Sequence, residues 1–206
     1  MTITAHSAAP LTRSRSAITL LAFIVLLTMF TTASAAELPS DSIYRLDIPL
    51  VDHNGAGFHL ADRRGRPQLV SMFYTSCQFV CPLVLDTLRM TERSLRADEQ
   101  GRLDVLVVSF DPERDTPIQL KSVFDKRRLD SERWTLARTE APNVRKLAAA
   151  LDIRYRVLAD GEINHATALV LLDAEGRIVA RSSVLGEVDP VFVAAIRATL
   201  STGARP

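Results

Sequence analysis

The chain has 206 residues, 25 basic and 24 acidic side chains, a formal net charge of +1 and two cysteines. A length of this order suits one domain with a sizeable core. The near-neutral balance gives no electrostatic reason to expect nucleic acid as a partner, and two cysteines are too few for a disulfide scaffold.

Residues 1–35 read as an export signal. Arg13 and Arg15 precede an apolar run over residues 17–30, and Ala33-Ser34-Ala35 has the small-x-small form of a cleavage site. Cleavage is expected after Ala35 or Ala36. The run is shorter than the roughly 20 residues a membrane span needs. Counting on to Ala36 approaches that length, so an uncleaved inner-membrane tether is the competing reading. No cysteine ends the run, which excludes lipid attachment through sulfur. Either way the domain is expected to be exported to the periplasm, an oxidising compartment in which a cysteine pair can persist as a disulfide. Residues 1–35 carry two arginines and no acid, so the charge of the remainder falls to about −1.

Residues 36–45 are expected to form a tether and residues 46–202 the domain. Residues 46–51 and 57–60 flank Asp52-His53-Asn54-Gly55, and Asn-Gly is the strongest short hairpin signal. His53 and His59 flank this turn and are expected to be exposed. After a second turn at residues 63–67, residues 68–74 read as a buried strand running into Cys77 and Cys81. From Pro82 a helix is expected, with Leu85, Leu88 and Leu95 at helical spacing. Residues 103–110 form a second buried strand, then a turn over 111–117 in which Asp115 or Thr116 suits a helix cap. That helix runs through Phe124. Lys126-Arg127-Arg128 sits between Asp125 and Asp130 and reads as an ordinary solvated surface. A short strand at 134–136, a helix at 143–151 and an extended piece at 153–157 follow. Residues 166–173 and 177–182 form a hairpin, and residues 190–200 a closing helix. This order predicts an α/β fold, thioredoxin-like in plan: a mixed sheet flanked by helices, with an N-terminal hairpin and a late antiparallel hairpin.

The chemistry lies in the C-x-x-x-C pair, Cys77 and Cys81. A cysteine just before a helix N-terminus is expected near unpaired N–H groups and the positive end of the helix dipole, and both of these favour the thiolate. Thioredoxin-type exchange normally uses two intervening residues; three can bring the sulfurs to bonding distance or splay them toward a third ligand. Two thiolates favour Cu(I) and also suit zinc. His165, at the mouth of the strand expected from residue 166, is a candidate third ligand, and its bland reading is a polar residue finishing a loop. A Cys/Cys/His set suits copper better than structural zinc, which usually has four ligands. On the residues alone, disulfide, metal binding and electron exchange all stay open.

The run Tyr74-Thr75-Ser76-Cys77-Gln78-Phe79-Val80-Cys81-Pro82, then Asp111-Pro112-Glu113-Arg114-Asp115-Thr116-Pro117, Trp134-Thr135-Leu136, and His165 followed by Leu171-Leu172-Asp173 resembles the Sco/SenC copper-chaperone family. The likeness extends over about residues 46–200. It implies a thioredoxin-like fold that binds one copper, Cu(I) or Cu(II), through Cys77, Cys81 and His165. It further implies assembly of the dinuclear copper site of cytochrome c oxidase. The implied partners are the copper-site subunit of that oxidase, other copper chaperones and thioredoxin-like reductants. Cys77 and Cys81 would also be the redox pair, and the alternative function is a thiol–disulfide reductase that keeps the recipient's cysteines reduced. Asp111 and Asp115, on the loop facing the cysteines, are candidates to tune the site or contact the partner; their bland readings are turn former and helix cap. Asn164 stands where members often carry an aspartate, which removes a charge beside the histidine. A peroxide-reducing reading lacks support, because residues 75–82 contain no arginine to polarise the substrate.

Overall fold

The N-terminal hairpin joins Pro49–Asp52 (β1) to Gly57–His59 (β2), with Leu50 opposite Phe58. The computed structural model describes residues 37–77, 80–159 and 162–202, so the expected export segment lies outside the described residues. The Asp52 carboxylate accepts from the N–H groups of Asn54 and Ala56, and Gly55 takes φ +85°, which glycine adopts without Cβ strain.

Two mainly apolar, buried strands supply the centre of the sheet. Gln68–Phe73 (β3) is buried at every position and pairs in parallel with Asp104–Ser109 (β4). Strands covered on both faces have no solvent side, so no polar alternation is needed. Trp134–Arg138 (β5) adds in parallel to β4, and β1 runs antiparallel to β5. On the other flank Leu169–Leu172 (β8) lies antiparallel to β3 and Ile178–Ser182 (β9) antiparallel to β8. The order is β2-β1-β5-β4-β3-β8-β9, a mixed sheet of the expected thioredoxin-like plan. A separate two-stranded ribbon pairs Tyr155–Val157 (β6) with Ile163–His165 (β7).

The described helices are Val80–Arg93 (α1), Ala97–Gln100 (α2), Pro117–Lys126 (α3), Ala141–Ala150 (α4) and Pro190–Thr202 (α5). Helix α1 packs on β3, α3 on β5 and α5 on β9. Helix α1 is already formed at Val80, two residues before Pro82. Proline in this first turn costs no bond, because those N–H groups have no partner within the helix. Among the described residues no helix is long and apolar enough to cross a membrane.

Two expectations fail. His53 is buried at 5% exposure; its ring stacks on Phe124 at 3.9 Å, and its N–H donates to the Leu136 carbonyl at 2.9 Å. The hairpin turn therefore continues the β1–β5 pairing beneath α3, while His59 stays exposed beside Asp47. His165 is not at the entrance of β8 but ends β7, opposite Tyr155, and β8 starts only at Leu169. The Ala166 N–H donates to Arg154 and so stays with the ribbon.

Candidate metal centre

Strand β3 delivers the sulfurs. After Phe73 the chain turns, with the Cys77 N–H reaching the Tyr74 carbonyl at 3.4 Å, and α1 then carries Cys81 in its first turn. Cys77 is half-buried and Cys81 is 2% exposed; no disulfide joins them. The Cys81 N–H donates to Cys77 Sγ at 3.3 Å, and the Tyr74 N–H donates to Cys81 Sγ at 3.3 Å.

The expectation that a helix start favours the thiolate is corrected for Cys81. Its residue lies inside the helix against the core rather than before it. Burial pushes its thiol far above the usual range; the Tyr74 N–H opposes this, and the neighbouring Cys77 and Asp115 add to the rise.

The ribbon brings His165 to this sulfur, with Nε2 3.8 Å from Cys81 Sγ. Nδ1 lies 3.2 Å from the Ala166 carbonyl. A proton on Nδ1 satisfies that contact and leaves the Nε2 lone pair facing sulfur. The ring sits in an aromatic frame: Phe110 packs on it at 4.8 Å, Tyr74 meets it edge-on at 6.0 Å, and Tyr155 backs Phe110 at 5.1 Å. Burial lowers the imidazole below its usual range, with the Ala166 carbonyl opposing, so the ring is neutral at neutral pH. The Tyr74 hydroxyl donates to Glu162 at 2.9 Å and ties the ribbon to the end of β3.

Tyr74, Cys77, Val80, Glu162, Asn164 and His165 line an open cleft of about 470 Å³. Two sulfurs and an imidazole nitrogen form a soft donor set that fits Cu(I) and disfavours hard cations. Among the described residues no three ligand-type side chains already stand close enough to enclose a cation.

Asp115 is fully buried, and its carboxylate accepts from the Thr75 N–H at 3.0 Å and from the Thr75 and Ser109 hydroxyls. It pins the start of the cysteine turn to the end of β4. The helix cap is Thr116, whose Oγ1 accepts from Gln119. Burial raises the Asp115 carboxyl above the usual carboxylate range against the pull of its Ser109 and Thr75 bonds. Asp111 is a turn former: its carboxylate binds the Arg114 side chain, and its N–H donates to Ser109 Oγ at 2.9 Å. Asn164 is exposed on β7 opposite Arg156. The sequence reading missed the roles of Thr75, Ser109 and Phe110. Phe110 was legible as a strand end, but nothing in its spacing announces a ring partner 55 positions away.

The SCO1/SenC family model matches residues 40–200. A protein of Stutzerimonas stutzeri, provisionally named as copper-binding, is 26% identical over 135 residues, 64% of this chain and 65% of its own length. The chain thus spans just under two thirds of that relative. Bradyrhizobium japonicum ScoI, solved with copper bound, superposes with a TM-score of 0.62 at 23% identity over 74% of this chain and 96% of that one. BsSco, described as a member of the Sco family of cytochrome c oxidase assembly proteins, gives 0.64 at 18% identity over 77% and 91%. At these identities the two structures share the fold. The family match spans nearly the whole described domain, and on that ground the chain belongs to the SCO1/SenC family.

Proposed function

We propose that this protein is an exported copper chaperone that binds one copper through Cys77, Cys81 and His165 and helps assemble the dinuclear copper site of cytochrome c oxidase. The observation that supports this most is the approach of His165 Nε2 to Cys81 Sγ at 3.8 Å. Family membership, the copper in the names of the relatives and the oxidase assembly named for BsSco point the same way. Export to the periplasm, processed or tethered, is supported by the pattern of residues 1–35. Copper is the cargo. The two sulfurs and the imidazole hold it, the aromatic frame fixes the imidazole, and the open cleft lets a recipient's ligands approach from the Cys77 side.

Copper titration of the reduced protein, followed by absorption and paramagnetic resonance, is expected to saturate at one metal per chain. Protein oxidised to the Cys77–Cys81 disulfide should bind none tightly. Equal affinity in the two redox states would sink the reading.

Binding should also depend on pH. Burial keeps the Cys81 thiol protonated at neutral pH, with Cys77, Tyr74 and Asp115 facing it, so the metal must displace its proton. Apparent affinity is expected to rise about tenfold per pH unit through the neutral range from this thiol alone. His165, already neutral there, adds no slope. Competition against a chelator of known pH dependence reads this, and a flat profile contradicts it.

A second reading, thiol–disulfide reductase, is favoured by the asymmetry of a half-buried Cys77 and a buried Cys81. Cys77 thiolate would attack a recipient disulfide and expel one thiolate; Cys81 would then displace the second, leaving the pair oxidised and the recipient reduced.

A further inference from the structure

The Cys77 turn has two flanks, and the His165 cleft occupies one. On the other, α1 and α3 enclose a cleft of about 570 Å³ with Cys77 at its edge. Phe73, Leu85 and Val123 give it an apolar lining, and Arg89, Lys126, Arg127 and Arg128 line it with positive charge. Lys126-Arg127-Arg128 is surface as expected, with Lys126 and Arg128 exposed, but the flanking acids pair elsewhere. Asp125 pairs with Lys121 and Asp130 with Arg133, so neither offsets the cluster. Arg127 alone has a carboxylate partner, Asp86 at 2.6 Å. The Arg89 guanidinium donates to the Arg127 carbonyl at 2.7 Å, and no ion pair among the described residues involves Arg89, Lys126 or Arg128. Three positive heads without an acidic partner thus gather beside one sulfur in a nearly neutral chain.

We propose that this cleft docks an acidic polypeptide segment, with apolar residues among its carboxylates, of the protein that exchanges copper or thiols with Cys77. The inference rests on the proposed function only in taking Cys77 as the residue the partner meets. Charge complementarity selects the partner's sign, and the apolar lining gives its side chains area to bury. The concavity suits a chain segment better than a flat lipid surface. Cations around a cleft act mainly on encounter rate and salt dependence. A segment seated here would leave the opposite flank open, so docking and metal transfer would use separate faces of one turn.

The probe is a pair of fluorescent 12-residue peptides, one of glutamate, aspartate, leucine and phenylalanine, the other with lysine in place of the acids. Anisotropy with the reduced full chain at low salt is expected to show the acidic peptide binding at least roughly tenfold tighter, with the difference collapsing at high salt. The acidic peptide should slow iodoacetamide alkylation of Cys77, read by mass spectrometry. The double variant Lys126→Glu, Arg128→Glu should lose that binding, and the control Arg145→Glu, Lys146→Glu on α4 should keep it. Equal binding by both variants, no binding by the parent protein, or binding to phosphatidylglycerol vesicles in place of the peptide overturns the proposal. None of these readouts uses copper, so a protein that binds the peptide but no copper refutes the chaperone reading alone. A protein that binds copper but no peptide refutes the docking surface alone.

Discussion

Replacing His165 with alanine is expected to lower the copper affinity of the reduced protein by more than about 100-fold and leave the fold intact. Loss of an outer partner of a metal ligand costs about 10- to 100-fold, and loss of a donor costs more. The ring is only partly buried and belongs to the β6–β7 ribbon, outside the seven-stranded sheet. Its removal therefore takes away a donor and little core. Cys77→Ser and Cys81→Ser should each lose at least as much affinity, because hydroxyl is a hard, weak replacement for thiolate. At Cys81 the hydroxyl would also lie in a position 2% exposed, so thermal unfolding must accompany the titration. Calorimetry against a competing chelator reads all three variants. If His165→Ala keeps full affinity and an unchanged spectrum, the ligand assignment is wrong. The same variants separate the two functional readings in a strain lacking this protein. A reductase tolerates His165→Ala and fails with Cys77→Ser, whereas a chaperone fails with both.

Asp115→Ala should destabilise the fold by about 3 kcal/mol, because it strands the Thr75 N–H and the Thr75 and Ser109 hydroxyls, each unpaired buried group costing about 1–3 kcal/mol before relaxation. The loss falls on the residue that starts the cysteine turn, so copper affinity should also drop, by about tenfold. Asp115→Asn preserves shape and should cost less. Its pH dependence has a definite sign. The folded carboxyl lies above its unfolded value, so the stability it contributes is fully present below the ordinary carboxylate range and is lost as pH rises through the folded value. The stability gap between the parent protein and Asp115→Asn should therefore widen on acidification. Urea unfolding at two pH values measures it, and a gap that narrows would mean the carboxylate is held ionised.

The sheet was largely readable because its central strands announce themselves. Residues 68–73 and 104–109 are mainly apolar without a period-two alternation, as burial on both faces favours, and Asn54-Gly55 marks the hairpin. Cys77 and Cys81 stood out through chemistry and spacing. What stayed hidden depends on contacts distant in sequence. Asp115 looked like a cap because carboxylates suit that role; its true partners, Thr75 and Ser109, are set by the β3–β4 register. His53 looked exposed because it adjoins a turn, and only packing under Phe124 decides otherwise. The basic cluster at 126–128 is surface as expected, but that Lys126 and Arg128 lack the flanking acids as partners is not visible in sequence, because sequence neighbours are not always spatial partners. Asp125 turns along its own helix toward Lys121 instead.

The imidazole sits on a two-stranded ribbon with its own hydrogen bonds, while both sulfurs are rooted in the hydrophobic centre through β3 and α1. The proposed donors thus sit on different elements of the backbone. Ile163 and Tyr155 anchor that ribbon to the core, whereas its solvent-facing residues Arg156, Val157 and Asn164 can be recharged or exchanged without repacking the interior, which makes them the natural place to retune grip and release.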